Sequence, residues 1–325
     1  RYANDGSTML TLGAFASAKR TNEDRVLHAG LRYNYSAIEA NYSMDYAFSG
    51  LGFDNISLKN GAMTGSLGYE APIGRSIMSH SSFSSGFRNP NIDDATKIRE
   101  KNGVLLIPNN EIRAEYIYSL DQSISLSPFE NKAKFNITAA GFISLWADAI
   151  VPFPTTINGN STFELYGDPV AVYMNDNLEN SFIYGARCEV KSQFAESFAF
   201  NGTINYTRGH TILGGAPLSH IPPTFGRVGL LKKSEGWSVE SYVLFNGAKG
   251  LDLYGDATTD NLAEALNGTS TPEWWTWNIE ATYDLSEELH LQAGIQNILD
   301  VHYKPFASGI SAPGRGVYVT VNANF

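Results

Sequence analysis

The sequence has one cysteine, no long apolar run and none of the common phosphate or zinc motifs. Because Cys188 stands alone, an internal disulfide framework and a cysteine-based zinc site are excluded. No window approaches the roughly 18 consecutive apolar residues that a membrane-spanning helix needs. Phosphate loops of the GxxxxGK or GxGxxG type and the HExxH zinc motif are also missing from the chain.

Charge is scarce as well. Charged residues make up 17% of the chain, against roughly a quarter in an average soluble domain. The formal net charge is -10, and Lys and Arg are nowhere clustered. Because nucleic-acid phosphates are bound by clustered basic side chains, a nucleic-acid partner is excluded. Glycine (30), tyrosine (17) and phenylalanine (18) are plentiful, which is typical of a β-rich protein.

Apolar and polar residues alternate along almost the whole chain. In the closing stretch RGVYVTVNANF, Val317, Val319, Val321 and Ala323 alternate with side chains that can hydrogen-bond. This period of two predicts a strand with one apolar and one polar face. The pattern predicts about fourteen strands, at 9–18, 27–35, 38–46, 63–69, 76–87, 116–126, 135–145, 182–190, 198–206, 224–232, 237–245, 275–285, 289–295 and the C-terminus.

The connections between these strands are alternately short and long. Short polar turns include EAPIGR, FAES and KKSEG, and the long links lie at about 88–114, 147–181, 208–223, 246–274 and 297–314. Outer-membrane barrels have this arrangement, with short periplasmic turns and long extracellular loops. The sequence therefore predicts an all-β fold, an antiparallel up-and-down transmembrane β-barrel, with residues 1–325 as a single domain.

The aromatic residues favour a membrane barrel over a soluble β-sandwich, which would also alternate. They concentrate near the ends of the predicted strands on the apolar face, where the interfacial girdles of a barrel lie. The residues predicted to anchor the barrel at the membrane interface are Trp237, Trp275, Trp277 and Tyr283.

Charged residues occupy the opposite face. An Arg or Lys facing lipid at the membrane midplane costs about 2–4 kcal/mol, so we expect these side chains to face the lumen, where they would contact water or a protein plug. The residues predicted to do so are Arg32, Glu70, Arg187, Glu189 and Glu280.

Several stretches between about residue 76 and the C-terminus follow one another in the order that they have in a known protein family. They are SSGFRNPNIDD, IPNNEIRAEYIYSLDQSIS, FISLWADAIV, SFIYGARCEVK, APLSHIPPTFGRVGL and QNILDVHYKPFASGISAPGRGVYVTVNANF. Together they resemble TonB-dependent transporters of the bacterial outer membrane, especially those common in Bacteroidetes. The last stretch is the most specific of them.

The resemblance implies active uptake of a scarce nutrient, such as an iron chelate or cobalamin, through a barrel that an N-terminal plug closes. The family's barrel has about 22 strands, whereas this sequence shows fewer strands and neither a plug nor a coupling box. We therefore expect the chain to be the C-terminal part of the barrel. Such a part is not expected to transport by itself, because an open sheet leaves two unpaired edges that lipid cannot satisfy.

The resemblance also implies partners and sites. The expected partners are outer-membrane lipid, the missing plug and barrel strands, a TonB-type energy-coupling protein that acts through the plug, and the barrel-assembly machinery. Positions at the extracellular ends of strands predict substrate contacts, namely Arg88, Asp148, Tyr303 and Lys304. Tyr318 and Phe325 resemble the family's C-terminal assembly signal. The interval 91–107, where haem-uptake relatives carry an axial histidine, contains none, which argues against haem. No cofactor and no metal site is predicted.

Two other functions compete with this one. Ser219 and His220 are adjacent, and adjacent residues on an extended chain point apart, so they form a poor nucleophile-base pair and no enzyme is predicted. A passive outer-membrane porin or fatty-acid-type channel of fourteen strands is the alternative, since its strand count would close without missing pieces.

Overall fold

The computed structural model describes residues 3, 6–42, 50–52, 55–127, 134–255 and 269–324. This part contains eighteen strands, a five-residue helix α1 (Ile92–Thr96) and a 3-10 turn (Leu251–Leu253). The strands are β1 (Ser7–Asn22), β2 (Arg25–Asn41), β3 (Asn55–Ile73), β4 (Ile77–Arg88), β5 (Arg99–Lys101), β6 (Val104–Ile107), β7 (Glu115–Leu126), β8 (Lys134–Pro154), β9 (Thr162–Leu165), β10 (Asp168–Ala195), β11 (Phe198–Thr211), β12 (Phe225–Ser234), β13 (Trp237–Asn246), β14 (Lys249–Gly250), β15 (Ser270–Thr271), β16 (Trp274–Asp284), β17 (Leu289–Gln296) and β18 (Gly316–Ala323).

Sixteen of these strands form one sheet. Its main path is β1-β2-β3-β4-β7-β8-β10-β11-β12-β13-β16-β17-β18, in which the strands follow one another in chain order. The pairs along this path are all antiparallel. The predicted all-β, antiparallel up-and-down sheet is therefore confirmed, and β1 and β18 stand at the two ends of the strand order.

The prediction of short connections at one end and long ones at the other is also confirmed. Short turns join β1 to β2, β3 to β4, β10 to β11, β12 to β13 and β16 to β17. Gly74 and Gly236 lie in two of these turns with φ of 72° and 74°, a backbone conformation that glycine adopts without a Cβ penalty. Among the described residues, no helix is both long and apolar enough to cross a bilayer.

Strand β2 replaces two strands that the sequence predicts at 27–35 and 38–46, of which residues 43–46 lie outside the described part. It pairs with β1 and β3 in one unbroken register. Tyr33 is exposed on one face, whereas Ile38 is only 1% exposed on the other. Ile38 packs against helix α1. The apolar phase therefore changes because a different face becomes buried, and the strand does not end there.

The link predicted at 147–181 is mostly strand, because β8 extends to Pro154 and β10 already begins at Asp168. Strand β10 has 28 residues, whereas about 9–11 residues suffice for a tilted strand to cross a membrane. Glu179 and Ser181 lie at register shifts between β8 and β10, and such bulges bend a strand without ending its pairing. Period-two alternation is interrupted in this part of the chain, which is why the sequence predicts a link there.

The connection from β4 to β7, residues 89–114, is hereafter the crossing segment. It contains α1 and the β5–β6 hairpin, whose turn residues Asn102 and Gly103 have φ of 55° and 77°, as a two-residue type I′ turn requires. Strand β6 pairs in parallel with β10, although β7 and β8 lie between β4 and β10 in the sheet. The crossing segment therefore passes over two strands at the long-loop end.

A compact apolar core fixes the crossing segment at this end of the sheet. Leu105 and Ile107 of the segment join one buried cluster with Val172 of β10 and Ile56 of β3. A second cluster joins Ala95 and Ile112 of the segment to Ile38 and Leu58. Both clusters lie on one face of the sheet, so the crossing segment covers part of that face at the long-loop end.

Candidate functional site

The two faces of the sheet differ in chemistry from one end to the other. On the apolar face, Val317, Val319 and Val321 are 74%, 65% and 60% exposed, and Trp277 is 38% exposed. Val319 pairs directly with Ala293 of β17, and paired residues share a face. No second layer of protein covers this row in the part of the chain that the structure describes, so the predicted bare apolar wall is confirmed.

The predicted lumen residues all lie on the opposite, polar face. Cross-strand register follows directly from Glu70 to His80, Ser123, Ala140 and Arg187. Arg32, Glu189 and Glu280 share this face by the same alternation. The crossing segment covers the same face, since Asn60 Nδ2 donates to the Ile112 carbonyl at 3.4 Å. That these residues face a lumen remains a prediction.

Two groups of charges on the polar face are paired. Arg187 Nη2 lies 2.6 Å from Glu189 Oε2, and Lys191 contacts the other oxygen of the same carboxylate. Arg227 Nη2 lies 2.7 Å from Glu240 Oε1. Paired and hydrogen-bonded charges avoid the cost that an isolated charge on a wall of low dielectric would carry. The charges of these two groups are therefore neutralised within the polar face itself.

The same face carries a cavity of about 450 Å³. His80, Ser82, Asp121, Arg187 and Asn205 are among the residues that line it. The lining offers donors and acceptors of both charge signs, which is the chemistry of a surface that contacts water, a polar solute or another polar protein surface.

A stacked histidine pair lies beside this cavity. The rings of His28 and His80 lie 6.0 Å apart with an angle of 12° between their planes. Gly68 lies directly opposite His28 in the sheet, and a Cβ there would overlap the His28 ring. Glycine at this position thus permits the ring to lie flat across β3.

The four predicted substrate residues fall into two groups, and Arg88 and Asp148 belong to the first. Arg88 Nε lies 2.5 Å from Glu115 Oε1, and its Nη1 lies 2.5 Å from Asp94 Oδ2. The second oxygen of Glu115 accepts from the Ile150 backbone N–H at 2.9 Å. Asp148 has φ of 55° at the bulged part of β8, and Asn180 accepts its backbone N–H at 3.1 Å. These contacts hold strands and loops together, and substrate binding by either residue remains a prediction.

Tyr303 and Lys304 form the second group, in the connection between β17 and β18. The Tyr303 ring lies 4.2 Å from the ring of Trp274, whereas Lys304 is exposed. Beside them, Lys249 is 2% exposed. Its Nζ lies 4.5 Å from the Tyr254 ring and 4.7 Å from the Phe306 ring, so cation–π contacts join the two last long loops.

The predicted interface anchors lie on the apolar face. Trp275 and Tyr283 are 50% and 52% exposed at opposite ends of β16. Trp277 donates its indole N–H to Ser241 Oγ at 2.9 Å. Trp237 pairs with Tyr283, beside the short turn to β12. Aromatic residues thus lie at both ends of β16 on the apolar face, and their role as interface anchors remains a prediction.

The two residues of the predicted assembly signal have different outcomes. Tyr318 lies on the polar face and donates its hydroxyl to Glu280 Oε2 at 2.6 Å. Phe325 lies outside the described residues. Tyr318 is therefore bonded to Glu280, which lies two strands away. An assembly role for Tyr318 or Phe325 remains a prediction.

Sequence reasoning missed the residues that dock the crossing segment. The side-chain amide of Asn177 accepts from the Arg113 N–H at 2.7 Å and donates to the Arg113 carbonyl at 3.0 Å. Asn175 donates to the Asp94 carbonyl at 2.9 Å, and Asn109 donates to the Asn175 carbonyl at 2.7 Å. The polar run MNDNLEN, at the place where alternation fails, was the available signal. Among the residues described, no group of three or more His, Cys, Asp or Glu could hold a metal ion.

A family model described as "TonB dependent receptor-like, beta-barrel" matches residues 1–298. No curated protein sequence matches the chain at a significant level.

Solved structures match nearly the whole chain. The copper transporter OprC is 19% identical with a TM-score of 0.76, and the match covers 98% of this chain and 48% of OprC. The siderophore receptor PiuA from Acinetobacter baumannii is 15% identical with a TM-score of 0.68, covering 98% and 43%. The Serratia marcescens hemophore receptor HasR, solved with its hemophore and heme, is 14% identical with a TM-score of 0.70, covering 100% and 53%. The chain thus spans about half the length of these structures.

Proposed function

Because the chain belongs to the TonB-dependent receptor-like β-barrel family, a family of bacterial outer-membrane proteins that serve nutrient uptake, we propose that it forms the wall of a receptor for energy-coupled uptake of a scarce nutrient. An iron chelate, cobalamin or a similar solute is the proposed cargo. The observation that carries the proposal is the contrast between the exposed valine row of β18 and the paired charges of the polar face.

The strand order supports a place for the chain within a larger barrel. The main path has β1 and β18 at its ends, and an edge strand in lipid needs a partner for its backbone groups. We therefore propose that further strands complete a barrel of about 22, that this chain corresponds to its C-terminal part, and that a plug fills its lumen. The polar face, with Arg187, Glu189 and the nearby cavity, is the proposed plug surface.

The proposed route for the cargo begins at the long-loop end. The crossing segment covers the polar face at this end, and Tyr303, Lys304 and the described residues 247–255 and 269–273 belong to the other long connections. Substrate contacts are proposed for Arg88, Asp148, Tyr303 and Lys304, with Arg88 and Asp148 acting through the loops that they hold. A TonB-type protein acting on the plug is the proposed energy source, and no enzymatic reaction is proposed.

Uptake in the native host tests this function. The gene that carries this sequence is deleted, and accumulation of labelled ferric chelates, heme, cobalamin and copper is measured with and without a protonophore. Energy-coupled uptake predicts that one cargo is lost on deletion and also on addition of the protonophore. Loss on deletion without any effect of the protonophore, together with steady ion conductance of the purified protein in a planar bilayer, would instead establish the passive channel.

A further inference from the structure

Two basic side chains on the apolar face, Lys232 of β12 and Arg208 of β11, lie level with opposite ends of β11. Lys232 pairs directly with Phe198, the first residue of β11, and its Nζ lies 5.6 Å from the Phe198 ring and 5.4 Å from the Trp237 ring. Arg208 lies ten residues further along β11, since 208 − 198 = 10. Its Cζ lies 4.9 Å from the Tyr206 ring. Each cation therefore rests on an aromatic ring.

The spacing of these two cations equals the height of the apolar band of an outer-membrane barrel. Ten residues rise about 33 Å along a strand, which a tilt of about 40° reduces to roughly 25 Å along the membrane normal. Lys232 lies at the short-turn, periplasmic end of β12. Arg208 consequently lies at the level of the headgroups of the outer leaflet.

Aromatic rings surround Arg208 on this face. Tyr184 pairs with Arg208 across the sheet, and Phe182 pairs with His210. The His210 ring lies 6.0 Å from the Tyr184 ring and 6.3 Å from the Phe182 ring. Tyr184 and Tyr206 are 38% and 39% exposed. The five residues form one surface on the apolar face, in which Tyr184 lies level with Arg208 and Phe182 lies level with His210, hereafter the basic-aromatic patch (Phe182, Tyr184, Tyr206, Arg208 and His210).

The patch has no anion of its own. Within the described ranges, no ion pair joins Arg208 or His210 to a carboxylate, whereas Arg187 and Arg227 on the polar face each contact one. Arg208 Nη1 donates to the Thr207 carbonyl at 3.1 Å, so most of its five N–H donors remain for a ligand. A lipid-facing cation is tolerated near the interface, where its cost falls to about 0–1 kcal/mol.

We propose that the basic-aromatic patch binds a phosphate group of an outer-leaflet glycolipid, with Arg208 as the main contact and His210 as the second. The outer leaflet of this membrane consists of phosphorylated glycolipid, which supplies anions at the height of Arg208. A guanidinium matches phosphate with two parallel hydrogen bonds. Tyr184 and Tyr206 lie where the interfacial belt takes amphipathic rings, and basic pockets on membrane proteins bind anionic headgroups in the same way. This inference is independent of the transported cargo.

Lipid binding by the full-length protein, purified from outer membranes, tests the inference. The probes are bisphosphorylated lipid A and the same lipid A after enzymatic removal of both phosphates, and native mass spectrometry gives their affinities. Arg208→Gln is expected to weaken binding of the phosphorylated lipid roughly fivefold, the factor that corresponds to about 1 kcal/mol per surface cation. The double variant Arg208→Gln/His210→Gln is expected to bind it no better than the wild type binds dephosphorylated lipid.

Lys232→Gln is the matched control, because it removes a ring-bound cation from the same face at the other leaflet. It is expected to leave lipid A binding unchanged. Equal loss in Lys232→Gln and Arg208→Gln would reduce the effect to general charge attraction and overturn the site. Equal affinity of the wild type for phosphorylated and dephosphorylated lipid A would overturn it without any variant. Heat-modifiable migration on gels confirms that each variant is folded.

Discussion

Arg88 Nη1 lies 2.5 Å from Asp94 Oδ2, so that the last residue of β4 holds the short helix of the crossing segment. The side chain of Asp94 also accepts the Asn91 backbone N–H at 2.9 Å, while Asn91 accepts the N–H of Asp94 at the same distance. This reciprocal capping box fixes the helix start. Asp94 thereby links helix α1 to β4 and to Asn91 at the start of the crossing segment.

Replacing Arg88 should loosen the start of the crossing segment. In Arg88→Met, Glu115, whose side chain is 8% exposed, loses its cation, and we expect a loss of about 1–2 kcal/mol. Hydrogen exchange across residues 89–114 should rise, while exchange in β12 and β13 stays as in the wild type. Glu111→Ala, an exposed change in the same segment, is the control; unchanged exchange in Arg88→Met would show that the ion pair does not hold the segment.

Asn177 is expected to hold the C-terminal end of the crossing segment, at Arg113. Its amide group makes three hydrogen bonds, two with Arg113 and one of 2.8 Å to the Asp148 carbonyl. Asn177→Ala leaves these backbone groups without partners, at about 1–3 kcal/mol in total. Limited proteolysis of intact cells is expected to cut near residue 113 in this variant and not in the wild type. Resistance equal to the wild type would contradict the docking role.

Tyr318 should stabilise the C-terminal strand through Glu280. Its hydroxyl passes over β17 to reach β16, and a hydrogen bond to a charged group contributes about 1.5–3 kcal/mol. Tyr318→Phe is therefore expected to lower the urea midpoint of the folded protein, and Glu280→Gln should lower it by a similar amount. In the double variant the effects should not add; full additivity would mean that the two residues do not interact.

Tyr42 predicts a pH dependence at the long-loop end. Tyr42, which follows β2, donates its hydroxyl to the Thr96 carbonyl of the crossing segment, and burial raises the pKa of Tyr42 above its ordinary value of 10.0. Below pH 10 the phenol is neutral in the folded and unfolded chains alike. Above that pH the unfolded chain loses its proton first, so stability falls. The fall in urea midpoint between about pH 9 and pH 11 should be smaller in Tyr42→Phe; equal falls would contradict the assignment.

Local patterns predicted most of the sheet, and they failed where burial depends on distant segments. Alternation in β13, β16 and β18 identifies strands and faces because successive side chains point alternately to the apolar face and to the polar face. At Ile38 the polar face becomes buried by helix α1, more than fifty residues away in the sequence. No local pattern carries that information, which is why β2 reads as two strands.

The candidate site was less predictable for the same reason. Arg88 was singled out by its place at a strand end, but its partners Asp94 and Glu115 follow from the path of the crossing segment. The parallel pairing of β6 with β10 joins Leu105 to Val172, a contact between segments that neither turn length nor periodicity connects. Arg208 was missed because a single arginine on an apolar face has meaning only once its height along β11 is known.

Membrane assembly of paired variants on β18 tests the central claim, that one face meets lipid and the other faces the lumen. Val319→Arg and Val321→Arg place a cation on the apolar face, at a cost that rises from about 0–1 kcal/mol beside the interface to about 2–4 kcal/mol at the midplane. Val321 lies level with Tyr283 near the short-turn end, so the larger cost is expected for Val319→Arg. Asn322→Arg places the same cation on the polar face. The measurement is the fraction of full-length protein recovered folded in the outer membrane by heat-modifiable migration. We predict loss of the folded form for the two valine variants and wild-type recovery for Asn322→Arg. Equal recovery of all three would contradict the assignment of the faces.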